Sequence, residues 1–163
     1  MNRVYQERVF SGLWATVPAG FGLAMLVVFV YGRYFSNYED KSAAWYFLAI
    51  SVFLFIVAIN FGFLRITITG DTVSTRFGVI SHSIPVDNIA GSYQDKASKA
   101  SYKGFGVRWG TVNGKRRTVY DVSDLPRVVL RLKQNNNREF AFSTKNPDAV
   151  IKAIRSVVKQ KSI

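Results

Sequence analysis

The segment INFGFLRITITGD, residues 59–71, changes its hydropathy pattern from one end to the other, and this change decides the fold. Its first six residues end an apolar stretch in which no side chain is charged. From Arg65 to Thr69 polar residues alternate with isoleucine, and Gly70-Asp71 then provides a turn signal. Alternation with a period of two is typical of a half-buried β-strand. The sequence therefore predicts an apolar helical part before residue 65 and a β-rich part after it.

Two long uncharged runs lie on the N-terminal side of this change, at residues 11–32 and residues 42–64. An α-helix rises about 1.5 Å per residue, so each run is long enough to cross a hydrocarbon core of about 30 Å. A helix of a soluble protein keeps a polar face, and these runs have none. The first run is also too long for the apolar region of a signal peptide. We therefore expect residues 1–64 to form a hairpin of two transmembrane helices.

The charges that flank the two runs favour one orientation in the membrane. Both ends of a hairpin lie on the same side, and here that side carries Arg3, Arg8, Arg65 and Arg76, whereas the link at residues 33–41 is close to neutral. Cytoplasmic segments next to membrane helices are enriched in Lys and Arg. We therefore expect an integral protein of the cytoplasmic (inner) membrane, with two spans and with both termini and the β-rich part in the cytoplasm. Neither run contains Asp, Glu, Lys, Arg or His, so we do not expect the hairpin alone to transport ions.

Small residues recur at four-residue spacing in the first run and again near the end of the second. Such stripes let helix backbones approach closely in lipid. We expect them to pack the two spans against each other, and contact with a helix of another protein is the alternative. The candidate packing residues are Gly12, Thr16, Gly20, Ala24, Ala58 and Gly62.

The part after residue 64 is strongly basic. It holds eighteen Lys and Arg against seven Asp and Glu, whereas residues 1–64 hold four against three. An anionic inner leaflet attracts such a surface by about 1 kcal/mol per base, and an acidic protein surface is the other partner that the charge fits. We do not expect nucleic acid to bind, because the chain is tethered and has no helix-based reading motif. The candidate contacts for lipid headgroups or a protein partner are Lys96, Lys99, Lys103, Arg108, Lys115, Arg116 and Arg117.

The glycine-rich segment GFGVRWG, residues 104–110, lies in this basic part. A dinucleotide-binding loop needs a strand before it, a helix after it, and a third glycine at the position that Trp109 occupies. Asn113-Gly114 follows instead, which is the most favoured two-residue hairpin turn, and residues 115–122 read as a returning strand. We therefore predict a β-hairpin here and no nucleotide site.

A second hairpin and a helix close the sequence. The apolar positions that share one face of this hairpin are Val128, Leu130, Leu132, Phe140 and Phe142. The positions expected to face outward are Glu139, Ala141 and Ser143. Asn146-Pro147-Asp148 then combines a cap, a proline favoured in the first turn and an acid at the positive end of a helix. We predict about seven strands that a C-terminal helix caps, and hence an α+β membrane protein.

Side chains that carry catalysis or bind metals are few. The chain has no cysteine and one histidine, His82, so His and Cys ligands cannot form a zinc site. We expect His82 to have a structural or surface role. Asp121 and Asp124 stand where a strand gives way to a turn, and we expect them to lie in solvent or to pair with Arg116 or Arg117. No G-x-S-x-G nucleophile pattern occurs, and we expect no metal, no cofactor and no enzymatic activity.

Three segments resemble the bacterial pleckstrin-homology (PH)-like membrane proteins, which carry a helical hairpin followed by a PH-type β-domain. These segments are residues 65–89, GFGVRWG with its hairpin, and FSTKNPDAVIKAI at residues 142–154. The resemblance implies that residues 65–163 form a PH-like β-barrel or sandwich, with seven strands in two near-orthogonal sheets and a C-terminal helix that caps them. Lipid-binding eukaryotic PH domains cluster bases around the first hairpin, where this chain has only Arg65 and Arg76, so specific phosphoinositide binding is not expected.

These observations together predict a membrane-anchored interaction module that is not an enzyme. The sharper form of this hypothesis is an accessory or scaffold subunit of a larger membrane protein complex. A domain that senses anionic lipid at the membrane surface is the alternative, and an enzyme that acts on a lipid or peptide at the membrane face is the rival class.

Overall fold

The structure, a computed structural model, divides the chain into two compact units. It describes residues 3–36, 42–97, 106–112, 114–122, 125–134 and 138–161. One unit is Ser11–Phe63, and the other contains the residues before Ser11 together with those after Phe63. The first ten residues, which we expected in the hairpin domain, therefore group with the β-rich unit instead.

The helical unit contains two apolar helices. Helix α1 spans Gly12–Val30 and continues as a π-helical turn at Tyr31–Phe35, and helix α2 spans Ala44–Phe61. Both are long and apolar enough to cross a membrane, and only 6% and 17% of their most apolar stretches are buried. The core helix of a soluble protein hides most of its apolar side chains. In α1 and α2, by contrast, most of the apolar side chains are not covered by any described residue.

The second apolar helix is shorter than the sequence indicates. It ends at Phe61, and strand β2 begins at Phe63, so residues 63 and 64 of the predicted span belong to a strand. The reason is the period-two pattern, which starts before the first charge. Leu64 shares one face of β2 with Ile66 and Ile68, and all three side chains are fully buried.

The β-rich unit begins with a four-stranded sheet in which neighbouring strands follow chain order. Its strands are β1 at Arg3–Phe10, β2 at Phe63–Thr69, β3 at Thr72–Phe77 and β4 at Ile80–Pro85. The pairs β2–β3 and β3–β4 are antiparallel. Gly78 turns the chain between β3 and β4 with a φ of 62°, a left-handed conformation that favours glycine.

A five-stranded sheet follows. Its strands are β5 at Ile89–Gln94, β6 at Gly106–Val112, β7 at Lys115–Asp121, β8 at Arg127–Leu132 and β9 at Arg138–Ser143. Both predicted hairpins, β6–β7 and β8–β9, are confirmed. Their arrangement was not predicted: β7 lies parallel to β9, and the order across the sheet is β5-β8-β9-β7-β6. Strands β4 and β6 are therefore sheet edges.

Helix α3, Pro147–Lys161, closes the unit as predicted. The side chain of Asn146 caps it by accepting a hydrogen bond from the amide of Ala149 at 3.1 Å. The helix buries Val150, Ile154 and Val157 and packs against β5 and β8. The two sheets meet where His82 of β4 stacks on Phe140 of β9.

The described residues contain nine strands rather than about seven, and the strand that sequence reasoning missed entirely is β1. Only Val9 is buried in this strand, so its hydropathy pattern is weak. Its Glu7 carboxylate accepts hydrogen bonds from the Thr144 hydroxyl at 2.5 Å and the Lys145 amide at 2.7 Å. The α+β class is confirmed, and the PH-like arrangement stays a prediction.

Candidate functional site

The basic segment Lys115-Arg116-Arg117 at the start of β7 divides between two surroundings. Successive side chains of a strand point to opposite faces of the sheet. Arg116 is exposed on the face that carries Phe140, whereas the Arg117 side chain is only 3% exposed on the other face. Two adjacent residues that sequence reasoning treated as one cluster therefore have different roles.

Arg116 lines an open cleft of about 600 Å³, which we call the basic cleft. The residues that line it are His82, Trp109, Gly110, Thr111, Arg116, Arg117, Thr118 and Arg138. The side chains of two arginines, Arg116 and Arg138, lie in the cleft with two threonines and the Trp109 ring, and none of the lining residues is an acid. The side chain of Arg117 lies on the other face of the sheet and adds no charge to the cleft. The charge and polarity of the cleft suit an anionic ligand.

Two arginines lie side by side in this cleft. Arg116 of β7 is in register with Arg138 of β9, and Thr111 of β6 is in register with Arg116 on its other side. Both arginines are exposed, and the side chain of neither forms a hydrogen bond or an ion pair with any described residue. Like charges directly opposite each other across strands are destabilising. An anion bound between them would relieve this repulsion.

The rim of the cleft is aromatic on one side. Trp109 of β6 is 79% exposed, and the next two residues of this edge strand, Gly110 and Thr111, are also exposed. Across the cleft, the His82 ring stacks on Phe140 with a centroid distance of 5.0 Å and an interplanar angle of 25°. His82 thus combines a packing contact with a place in the cleft wall.

Arg117 lies on the opposite face of the same sheet, in a cluster of buried ion pairs. Its Nη2 and Nε donate to Oε2 of Glu139 at 2.5 and 3.1 Å, and its Nη1 lies 3.4 Å from Oδ1 of Asp95. The hydroxyl of Tyr93 accepts a hydrogen bond from Arg117 and donates one to Glu139. We call this group, with the residues described next, the ion-pair cluster.

The other half of the ion-pair cluster is built around Asp121. One of its carboxylate oxygens lies 2.9 Å from Nη2 of Arg108 and 3.4 Å from Nη1 of Arg127. Its second oxygen accepts a hydrogen bond from the Ser143 hydroxyl at 2.8 Å. Arg127 also reaches Asp95 at 3.2 Å, which joins the two halves. Three arginines and three acids therefore balance in charge.

The face that carries this cluster was expected to be outward and solvated, and that expectation is wrong. Glu139, Ala141 and Ser143 are 4%, 0% and 0% exposed. The apolar side chains buried with them are Val112, Val119, Val129 and Ala141, against which Tyr93 and Ala97 pack. Asp121, expected in solvent or paired with Arg116 or Arg117, is buried and pairs with Arg108 and Arg127 instead. Register brings opposite charges together from strands that are distant in sequence.

The cluster shifts the protonation equilibria of two of its members. Burial alone would raise the pKa of Glu139, but the hydrogen bonds and charge of Arg117 outweigh burial and hold this pKa below its usual value. Burial raises the pKa of Tyr93, although the charge of Arg117 opposes the rise. Both shifts keep Glu139 ionised and Tyr93 protonated near neutral pH.

The other candidate contacts are distributed over different surroundings. Arg108 belongs to the ion-pair cluster, and Lys115 lies at its rim, 3.5 Å from Glu139. Lys96 is exposed, and Lys99 and Lys103 lie outside the described residues. Among the candidates, Arg116 is thus the exposed base that the structure brings into the cleft. Arg138, which the sequence did not single out, joins it because β9 pairs with β7.

A second basic hollow, of about 340 Å³, lies on the four-stranded sheet. Its lining residues are Arg3, Gln6, Arg65, Thr67, Ser74, Thr75, Arg76, Ser81 and Ser83. Arg65 and Arg76 are in register on neighbouring strands. Arg3, from the unexpected strand β1, adds a third base. Hydroxyl groups and guanidinium groups together suit phosphate oxygens.

In the helical unit, the small residues of α1 do not lie where the stripe predicted. A side chain added at Gly12 or Gly20 would meet nothing within 4 Å, and Thr16 and Ala24 are exposed. This stripe therefore does not pack against α2, and the expectation that it joins the spans is wrong. Gly22 makes the close approach instead.

The contact between α1 and α2 uses a different set of small residues. Ser51 donates a hydrogen bond to the carbonyl of Gly22 at 2.8 Å, and a Cβ added at Gly22 would lie 3.4 Å from the Cβ of Leu54. Ala58 and Gly62 are buried, and a Cβ at Gly62 would lie 3.6 Å from Ala15. The buried positions Ala44, Ser51 and Ala58 repeat every seven residues. A seven-residue repeat is typical of two helices that wrap around each other.

No protein family, no curated protein and no solved structure matches this chain in comparisons of its sequence and fold. Among the described residues, no group of three or more His, Cys, Asp or Glu side chains could hold a metal ion. The function must therefore be argued from the two units themselves.

Proposed function

We propose that this protein is a membrane-anchored, non-enzymatic interaction module that serves as an accessory or scaffold subunit of a larger membrane protein complex. Its hairpin lies in the inner membrane, and its β-rich unit lies in the cytoplasm. The observation that carries the proposal is the basic cleft, whose paired arginines have no partner among the described residues, in a chain with two uncovered apolar helices.

The helical unit supports the anchoring part of this proposal. Exposed apolar side chains cover both helices, and among them are Val27, Phe53 and Ile59, which are 61%, 63% and 77% exposed. Soluble monomers rarely expose contiguous apolar surface on this scale. Lipid, or the helices of a partner, would cover it. The outward stripe of Gly12, Thr16, Gly20 and Ala24 is then available to a neighbouring helix.

The charge distribution supports the interaction part. In the ion-pair cluster, every arginine faces an acid, so this cluster adds little external field. In the basic cleft, Arg116 and Arg138 face only each other. Uncompensated charge at a concave surface steers an oppositely charged partner toward it.

Two treatments of native membranes test this proposal. The chain should stay in the membrane during a carbonate wash, which releases proteins that only adhere to the surface. After gentle detergent extraction, it should comigrate with a large assembly in native electrophoresis. Release by carbonate would contradict the anchor, and migration as a lone monomer would contradict the subunit role.

The second basic hollow favours a second candidate, apposition to anionic lipid. Arg65 follows the end of α2 by four residues, which an extended chain covers in about 13 Å. Bases this close to a membrane helix attract anionic headgroups. After reconstitution into vesicles of phosphatidylcholine with phosphatidylglycerol, β2 and β3 should gain protection from hydrogen exchange that vesicles of phosphatidylcholine alone do not give. Equal protection in both vesicles would remove this candidate.

A further inference from the structure

The geometry of the β6–β7 hairpin determines which backbone groups of β6 face away from the sheet. Val112 and Lys115 flank a two-residue turn and are in register. In such a hairpin this flanking pair exchanges backbone hydrogen bonds, and every second pair along the strands does so. The intervening residues Trp109 and Thr111 therefore point their N–H and C=O groups away from β7, toward the open edge.

This edge is open where it borders the basic cleft. Residues 109–111 are exposed, with Trp109 at 79%. In the described part of the chain, the N–H and C=O groups of Trp109 and Thr111 have no partner beyond the sheet. Proteins commonly protect free strand edges with lysine, proline or a bulge. Residues 109–111 are Trp, Gly and Thr, and offer none of these.

An additional strand on β6 would extend the sheet that carries the arginines of the cleft, about 10 Å from the strand of Arg116 and about 14 Å from that of Arg138. Strands of one sheet lie about 4.8 Å apart, and alternate side chains of each strand face the same side. On the face that carries Thr111 of β6, the next side chain across the sheet is Arg116 on β7, and Arg138 on β9 follows it. Long acidic side chains at alternate positions of the added strand would therefore extend toward a positively charged floor.

We propose that the basic cleft binds an extended acidic segment of a partner protein, which adds as a strand to the open edge of β6 and directs alternate carboxylates toward Arg116 and Arg138. This inference rests on the proposed function, because it specifies which kind of partner the proposed interaction module binds in its basic cleft. Backbone hydrogen bonds supply affinity in this mode of recognition, and alternate side chains supply specificity.

The open edge favours a peptide over a lipid headgroup at this site. A phosphate group could satisfy the two arginines, but it would leave the backbone groups of Trp109 and Thr111 unpaired. A peptide strand satisfies both sets.

The test uses the full chain in nanodiscs of phosphatidylcholine and a fluorescein-labelled peptide of alternating Glu and Val with blocked ends. Fluorescence anisotropy measures its Kd, and a peptide of alternating Lys and Val is the reference for sequence-independent adhesion. The charge variant is Arg116→Glu with Arg138→Glu. Its matched control is Lys152→Glu with Arg155→Glu, which places the same charge change on the exposed face of α3.

A second pair of variants separates backbone pairing from attraction between charges. Thr111→Pro removes an N–H group that points away from β7, so the ladder with β7 loses no bond. Thr111→Ala keeps this N–H group and removes the side chain. If Thr111→Pro lowers the thermal stability, a Glu-Val peptide methylated on alternate backbone nitrogens makes the same comparison on the unmodified chain.

We expect the arginine variant to weaken Glu-Val binding about tenfold or more, and Thr111→Pro to weaken it about three- to tenfold, which corresponds to one lost hydrogen bond. The α3 control and Thr111→Ala should bind within about twofold of the original chain. Equal binding by the arginine variant and its control overturns the proposal. If the methylated peptide binds as tightly as the unmethylated one, or if Thr111→Pro binds the peptide as tightly as Thr111→Ala does, strand addition is wrong.

The alternative ligand has its own outcome in this test. If nanodiscs that contain phosphatidylglycerol abolish peptide binding and the arginine variant loses its interaction with that lipid, the cleft is a headgroup site and the peptide proposal is wrong. If the chain comigrates with a large native assembly but does not bind the Glu-Val peptide, this inference is wrong and the proposed function is still supported. If the chain binds the peptide but carbonate releases it from the membrane, the proposed membrane anchor is wrong and peptide binding in the cleft is still supported.

Discussion

At Arg117, the cost of burial and the gain from charge pairing oppose each other. Removing an ion from water costs several kcal/mol, and a buried pair repays this only when its remaining hydrogen-bond sites are also satisfied. The Arg117 guanidinium meets Glu139, Asp95 and Tyr93. The side chain of Arg116, one residue earlier, is exposed to solvent and faces only Arg138. We therefore expect substitution of Arg117 to cost much more stability than substitution of Arg116.

Replacing Arg117 by methionine should destabilise the β-rich unit by about 3–5 kcal/mol, because the buried Glu139 would lose its closest cation and Asp95 would keep only Arg127. Arg116→Met is the control and should change stability by less than about 0.5 kcal/mol, since its side chain is exposed. Pulse proteolysis in urea measures the free energy of unfolding of the full chain in detergent. Similar losses for the two variants would contradict the assignment of Arg117 to a buried cluster.

Acidification should weaken the ion-pair cluster through Glu139. Its pKa in the folded chain lies below the usual value of 4.5. Its contribution to stability is therefore complete above that usual value and is lost as the pH falls through the lowered folded value. We expect Glu139→Gln to be less stable near neutral pH and to lose less stability between about pH 6 and pH 3 than the original chain.

The thermal midpoint at each pH checks this expectation. Asp148→Asn, which changes an exposed carboxyl group at the start of α3, should keep the acid sensitivity of the original chain. A pH dependence that is the same for Glu139→Gln as for the original chain would rule out Glu139 as a contributor.

At the scale of elements, strand β1 shows how a polar segment can be held in a sheet. It is an edge strand, and it buries Val9 completely. Its Glu7 accepts hydrogen bonds from Thr144 and Lys145, just before α3. The other residues of β1 are exposed or half-buried, so the hydrogen bonds from these distant residues help to hold it in place.

Glu7→Ala should destabilise the β-rich unit by about 1.5–3 kcal/mol, because it removes the charged acceptor of the hydrogen bonds from Tyr5, Thr144 and Lys145. Gln6→Ala, at the exposed neighbouring position, should have little effect. Pulse proteolysis again gives the free energies. If both substitutions are neutral, the N-terminal segment does not dock as described here.

The two apolar helices show that small residues matter only at the point of contact. Gly22→Leu should disturb the α1–α2 packing, because the added atoms would meet Leu54 and Phe55, and we expect a loss of about 1–3 kcal/mol. Gly20→Leu should be tolerated within the isolated chain, because nothing lies within 4 Å of that position. The thermal stability of both variants in detergent tests this. A greater loss for Gly20→Leu would reverse the assignment of the helix faces.

At the scale of the whole molecule, charge and hydrophobicity are segregated between the two units. The helical unit is apolar and poor in charge, while the residues after it carry eighteen of the 22 Lys and Arg. Such segregation favours a cytoplasmic location for the basic unit, because basic segments beside membrane helices are retained on that side.

The absence of cysteine makes this orientation testable with single substitutions. Lys152→Cys places a thiol on the exposed face of α3. In intact cells a membrane-impermeant maleimide should leave this variant unmodified, and permeabilised cells should give full labelling. If intact cells are labelled at the same rate as permeabilised cells, the basic unit lies outside the cytoplasm and the proposed orientation is wrong.

Local patterns were sufficient to predict the apolar helices, both hairpins and the closing helix. Alternation in residues 65–69, the register that Asn113-Gly114 favours, and the cap at Asn146 each depend on residues close together in the chain. They could be predicted because neighbouring residues decide backbone conformation and which face of a strand is apolar.

Contacts between distant residues could not be derived in this way. The outward face of β9 is buried because Glu139 meets Arg117 across a parallel pair of strands, and nothing within either strand signals that pairing. Arg138 joins Arg116 for the same reason, and Val9 joins the core from beyond the apolar helices. The one-dimensional order of side chains thus accounts for the elements, whereas their pairing in three dimensions decides which charges are neutralised inside the fold and which are left to attract a partner.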